Sequence, residues 1–141
     1  GQIRSSILTH PQNGKLPFRI GARFKLYQFF LQRGLDGPEQ RPLGERCLMG
    51  FGSTAGPPML PVVYNNNYQF VQSPGHVMIL VEMIHDARIV RMNSEHMAAD
   101  IRPWLGDSVG HWDSDTLVVV TKNFNPGQSF RAGIKTQLYL T

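Results

Sequence analysis

Apolar and polar positions alternate most clearly from 68 to 91 and from 111 to 121, and both stretches predict strands. Tyr68–Gln72 and the longer run His76–Arg91 flank Ser73-Pro74-Gly75, a tight connection, so a β-hairpin is expected there. Within the longer run Val77, Ile79, Val81, Met83, Ala87 and Ile89 share one parity and predict the core face. Met78, Leu80, Glu82, Ile84, Asp86 and Arg88 share the other, which lines a cavity or meets solvent. A second hairpin is expected where His111–Trp112 and Thr116–Thr121 flank the turn Asp113-Ser114-Asp115. Shorter strands are expected at Ile3–Thr9, closed by the turn His10-Pro11-Gln12-Asn13-Gly14, at Arg46–Phe51, and at Phe130–Thr141. The asparagines 65 to 67 predict a bend ahead of Tyr68.

Helical spacing is confined to two places. Phe18, Ala22, Leu26, Phe29 and Phe30 recur at intervals of three and four among Arg19, Arg23, Lys25 and Gln32, and Arg33-Gly34 has the character of a helix end. The segment 15–34 therefore predicts a basic amphipathic helix whose apolar stripe covers a sheet face. Ser94 is a candidate N-cap for a short helix through Glu95–Ile101, which Pro103 would stop. The expected fold is α+β and β-rich: antiparallel hairpins in a meander or an incomplete barrel, with those two helices.

Composition narrows the class. With 141 residues, 41% hydrophobic and 17% charged, the chain suits one domain over 1–141 and excludes a globally disordered polymer. A single cysteine, Cys47, excludes an internal disulfide, and the apolar runs Val77–Val81 and Leu117–Val120 fall far short of the ~20 residues that span a bilayer. No basic region followed by an apolar stretch marks a leader, and no compartment is assigned.

The net charge of +4 is unevenly placed: residues 1–33 carry six bases and no acid, whereas residues 34–141 carry eight bases and ten acids. A segregated basic arm can meet phosphate, an anionic surface or the acidic remainder of its own chain. The aromatic residues Tyr64, Tyr68, Phe70, Trp104 and Trp112 are not interleaved with bases, which argues against a nucleic-acid partner outside that arm.

Candidate chemistry is densest in Glu82-Met83-Ile84-His85-Asp86-Ala87-Arg88. A carboxylate beside an imidazole can supply a base and its orienting partner, and a guanidinium can hold an anion. On one continuous strand Glu82, Asp86 and Arg88 would share a face and His85 the opposite one; the plainer alternative is a structural ion pair and a core histidine. Gly106-Asp107-Ser108-Val109-Gly110 has the G-x-S-x-G form of a serine hydrolase, but a hairpin follows it where a nucleophile elbow needs a helix, so a Gly-flanked turn is expected. Gly50-Phe51-Gly52-Ser53-Thr54-Ala55-Gly56 fails as a phosphate loop because its third glycine is one place late and Pro57-Pro58 follows. No pair of histidines has ligand spacing, so neither a metal nor a cofactor is expected.

Taken together, Arg46-Cys47, Gly56-Pro57-Pro58-Met59-Leu60-Pro61, Tyr64-Asn65-Asn66-Asn67-Tyr68-Gln69, Glu82–Arg88, and Gly106-Asp107-Ser108 to Gly110-His111-Trp112 with Asp115-Thr116-Leu117-Val118-Val119 resemble a family of uncharacterised bacterial proteins, most of them exported. The resemblance covers most of residues 35–131. It implies a leader, an N-terminal Gly-x-Trp strand and strands beyond the equivalent of Leu140, with this chain a shorter form or a fragment, and it carries no reaction to these residues. Open sheet edges would then favour pairing with a second copy, a homo-oligomer.

Three functions are expected in order. The first is a small-molecule binding module, its β-lined pocket walled by Tyr64, Asn66, Glu82, Arg88 and Trp112 around a partly apolar ligand. The second is a hydrolase or lyase with Glu82 or Asp86 as base, His85 or His111 as acid and Arg88 on an anionic intermediate. The third is an interaction protein that meets RNA or an anionic surface through Arg19, Arg23 and Lys25.

Overall fold

Pro74-Gly75 reverses the chain, with Gly75 in the left-handed region at φ 74°. The flanking residues pair as the expected hairpin, β1 (Tyr68–Ser73) against β2 (His76–Val81), from Tyr68↔Val81 to Ser73↔His76. The computed structural model describes residues 12–15, Gly21, Phe24, 36–41, 43–50, Met59 and 64–127. The chain divides into two compact units, Gly1–Arg33 and Gly34–Thr141.

In the first unit, the Lys15 N–H donates to the Asn13 side-chain oxygen at 3.0 Å and Gly14 has φ 65°, forming the expected Asn-Gly turn. The strand Ile3–Thr9 lies outside the described residues. So does the basic helix expected over 15–34, apart from Lys15, Gly21 and Phe24; Phe24 is helical, whereas Gly21, at φ 82°, does not have helical backbone.

Among its described residues the second unit is β-rich, a five-stranded mixed sheet that does not close. Its strands follow chain order, β1-β2-β3-β4-β5, with β3 at Ala87–Met92, β4 at Asp107–Asp113 and β5 at Thr116–Lys122. The second expected hairpin is present and longer than its alternation suggests: β4 and β5 pair from Asp107↔Lys122 to Asp113↔Thr116 across Ser114-Asp115. The meander is broken at β3 and β4, which run parallel with Val90 beside Ser108. Residues 93–106 make the crossover.

The single strand expected over His76–Arg91 is two strands. After Val81 the chain makes a 3-10 turn, Met83–His85, in which Ile84 and His85 take φ 48° and 57°. Val81 N–H then donates to the Asp86 carbonyl at 2.9 Å, closing a second hairpin. Pairing sets Val77 against Val90 and Ile79 against Arg88, so the inward face passes from odd to even positions. Val90 is wholly buried and Arg88 is 4% exposed, whereas Ile89 is 51% exposed. The core face of this sheet gathers Val77, Ile79 and Val90 against Met59, Tyr68, Met92, Leu117 and Val119, while Val81 and Met83 pack with Tyr68 and Leu105.

Two further expectations are corrected. Residues 43–50 are turns rather than a strand at Arg46–Phe51: Leu48 N–H donates to the Leu43 carbonyl, Cys47 N–H to the Gly44 carbonyl, and Cys47 has φ 54°. The short helix near 95–102 does not form. As N-cap, Ser94 would accept from Met97 N–H, but that N–H donates to Asp107 at 2.8 Å and the Ser94 hydroxyl receives Arg91 at 3.2 Å. Within residues 36–127 the described helical turns are Pro38–Gln40 and Met83–His85, three residues each. No helix among them is long and apolar enough to cross a membrane. The strand expected over Phe130–Thr141 lies outside the described residues.

Candidate functional site

Parallel pairing of β3 with β4 brings together side chains that are far apart in sequence. Asp107, the first residue of β4, is 3% exposed. Its Oδ1 accepts from Arg91 Nη2 at 2.8 Å; its Oδ2 accepts from Met97 N–H at 2.8 Å and pairs with His96 Nδ1 at 3.0 Å. The carboxylate thus fastens the crossover to the sheet at Met97 and orients the His96 ring. Burial alone would raise the Asp107 pKa; hydrogen bonds from Arg91, Met97 N–H and His96, with the charge of Arg91, outweigh it and hold the group below the ordinary carboxylate range.

Beside this cluster lies a cleft of about 480 Å³. Leu48, Ile89, Met97 and Trp104 give it apolar wall, and His76, Arg91 and Asp107 give it polar wall. Asp107 is thus a buried ion at the edge of an open, mixed surface.

Ser108 is one residue further along β4 and points to the opposite, core side. It is 2% exposed and its hydroxyl shares a hydrogen bond of 2.9 Å with Thr121 on β5. The G-x-S-x-G segment is therefore strand rather than turn, and its serine is committed to a buried hydroxyl pair. The sheet accommodates this segment only because its flanking glycines lack a Cβ: at Gly110 one would stand 2.8 Å from Val90 Cγ1.

Of the residues nominated from the sequence, His85, Asp86 and Arg88 border the cleft and the others lie elsewhere. Glu82 is exposed and accepts from Asn67 twice, at 3.3 Å from the backbone N–H and 2.8 Å from Nδ2. Asp86 is half-buried and accepts Gly50 N–H at 2.7 Å; burial raises its pKa and that hydrogen bond pulls the other way. Arg88 turns inward, with Nη2 directed at the Met59 sulfur at 2.9 Å. The turn at 83–85 separates Glu82 from Asp86 and Arg88, and each of the three has a different partner: Asn67, Gly50 N–H and the Met59 sulfur.

Tyr64 and Asn66 are exposed ahead of β1, and His111 is exposed on β4. Trp112 is 49% exposed and borders a separate depression with Gln72, Pro74, Met92 and Asn93. His85 and Asp86 border the larger cleft, and Arg88 adjoins it while sending its side chain to the core face of β3. The spacing of the sequence nominates none of Arg91, His96 and Asp107 for a site. The one available signal was Asp107 within the Gly106-Asp107-Ser108 motif, where attention falls on the serine.

Among the described residues, no three His, Cys, Asp or Glu side chains are grouped to hold a metal ion. Cys47 is an exposed thiol. No family model, curated protein or solved structure matches this chain.

Proposed function

We propose that the protein is a small-molecule binding module and that the cleft over β3 and β4 takes a small, partly apolar ligand. The observation that carries this reading is the pairing of an apolar wall, Ile89, Met97 and Trp104, with a polar edge fixed in place by a buried carboxylate. Ligand sites generally combine a mostly apolar surface with a few oriented polar groups. Arg91 supplies such a group, and because Asp107 holds its guanidinium, little rotamer freedom is left to lose on binding. Pairing with a second copy belongs to the same proposal, supported by β1 and β5 standing at the two edges of the sheet among the described residues.

The test is backbone amide shift mapping of the labelled chain against a library of small aromatic fragments. Binders are expected to perturb Ile89, Met97 and Trp104 together, and Trp104→Ala is expected to weaken them at least tenfold. Binders that perturb only other surfaces, or a library with no binder at millimolar concentration, would overturn the proposal.

A further inference from the structure

The core face of β3 contains a charge that has no counter-ion among the described residues. Arg88 is 4% exposed and stands in register with Ile79, two residues from the wholly buried Val90. Its Nε is buried with no hydrogen-bond partner, and its Nη2 meets only the Met59 thioether, a weak acceptor. Nε and Nη2 form the edge of a guanidinium that grips a carboxylate with two parallel hydrogen bonds.

The chain has ten acidic side chains, every one among the described residues, and none forms an ion pair with Arg88. Asp107 belongs to Arg91 and His96, Glu45 to Arg41, Asp86 to Gly50 N–H, and Glu82 to Asn67. The polar neighbour is the Tyr68 phenol, whose pKa burial raises against the pull of the Arg88 charge. Arg88 is itself lowered to about 10 by burial, with Tyr68 acting in the opposite sense, so it remains a cation at neutral pH.

A buried guanidinium without an anion is costly, and a fold that needed only bulk at this position would be served better by an apolar side chain. We infer that the Nε–Nη2 edge of Arg88 is a binding site for the carboxylate of a small monocarboxylic acid with an apolar body. One negative charge balances one guanidinium, whereas a phosphate dianion would leave an excess charge among Ile79, Val90 and Met59. The apolar body suits the same side chains, and the carboxylate takes the place of the Met59 sulfur at Nη2. Arg88 borders the cleft proposed above, but its guanidinium lies on the opposite face of β3 from Ile89 and Arg91, which the proposed function uses.

Calorimetric titration of the full 141-residue chain with sodium octanoate tests this, with 1-octanol and inorganic phosphate as controls. Octanoate is expected to bind at least tenfold more tightly than either control. Arg88→Met is expected to abolish octanoate binding while raising the melting temperature of the unliganded chain. Arg88→Lys, which keeps the charge without the two-pronged edge, is expected to weaken octanoate at least fivefold and decides the matter should the Met variant not fold. Ile89→Asp, which disables the cleft, is expected to leave octanoate affinity unchanged, so the two sites can fail independently. No octanoate binding, phosphate binding as tight as octanoate, or equal octanoate affinity in the Arg88 variants and the parent would overturn the inference.

Discussion

Replacing Asp107 with Ala is expected to destabilise the second unit by about 3 kcal/mol, toward the low end of what removing one partner of a buried ion pair costs. Three donors lose their acceptor at once: Arg91 Nη2, His96 Nδ1 and Met97 N–H. The low end applies because the Arg91 and His96 side chains are 26% and 19% exposed and can recover water, whereas the carboxylate itself is 2% exposed. Asp107→Asn keeps one acceptor oxygen and is expected to cost less, about 1–2 kcal/mol. Urea unfolding with an unchanged slope measures both.

The same group sets an acid limit. Its folded pKa is held below the unfolded value of about 3.9, so its contribution is fully present above that pH and is lost as pH falls through the folded value. The parent chain is therefore expected to lose more stability than Asp107→Asn as pH is lowered from about 4 toward the folded pKa. Equal acid sensitivity in the two would show that Asp107 is not the charged anchor of the crossover.

Gly106→Ala is expected to be about as damaging, and Gly75→Ala far less, although both glycines have φ 74°. At Gly75 an added Cβ meets nothing within 4 Å, so the cost is the left-handed backbone alone, about 1–2 kcal/mol. At Gly106 the same atom would stand 2.7 Å from Thr121 Cγ2, 2.8 Å from Phe124 Cε1 and 2.9 Å from the Lys122 carbonyl oxygen. The last of these is β5 backbone, which cannot move aside without disturbing its pairing with β4. Overpacking then adds about 1–3 kcal/mol to the conformational cost. The difference between the two variants isolates the clash, and near-identical unfolding midpoints would mean that β5 does not approach Gly106 so closely.

The two outer hairpins were legible because each carries its turn chemistry in sequence: Pro74-Gly75 between alternating runs, and Asp113-Ser114-Asp115 before Leu117–Val120. The break between β2 and β3 was not legible. Met83-Ile84-His85 contains neither glycine nor proline, and Ile84 is a strong strand former, yet both Ile84 and His85 take positive φ. What holds them there is distant: Glu82 N–H donates to the Asn67 carbonyl, and Asp86 accepts Gly50 N–H. A reading of local alternation continues the strand through such a turn and assigns Ile89 rather than Arg88 to the core.

The candidate site was hidden for a related reason. Arg91, His96 and Asp107 meet because β3 and β4 run parallel, and nothing in the spacing of either strand specifies a parallel partner. Ser94 illustrates the competition: its sequence context is that of a helix cap, and the buried Asp107 carboxylate takes the N–H that the cap would have accepted.

Arg88 and the cleft both depend on which side of β3 faces inward, and thiol accessibility measures this directly. In a Cys47→Ser background, Ile89→Cys and Val90→Cys are compared for their rate of reaction with a water-soluble maleimide under native conditions. Residue 89 is 51% exposed and residue 90 wholly buried, so the thiol at 89 is expected to react at least a hundredfold faster. The opposite order, with the thiol at 90 reacting first, would put Ile89 in the core and Arg88 outside.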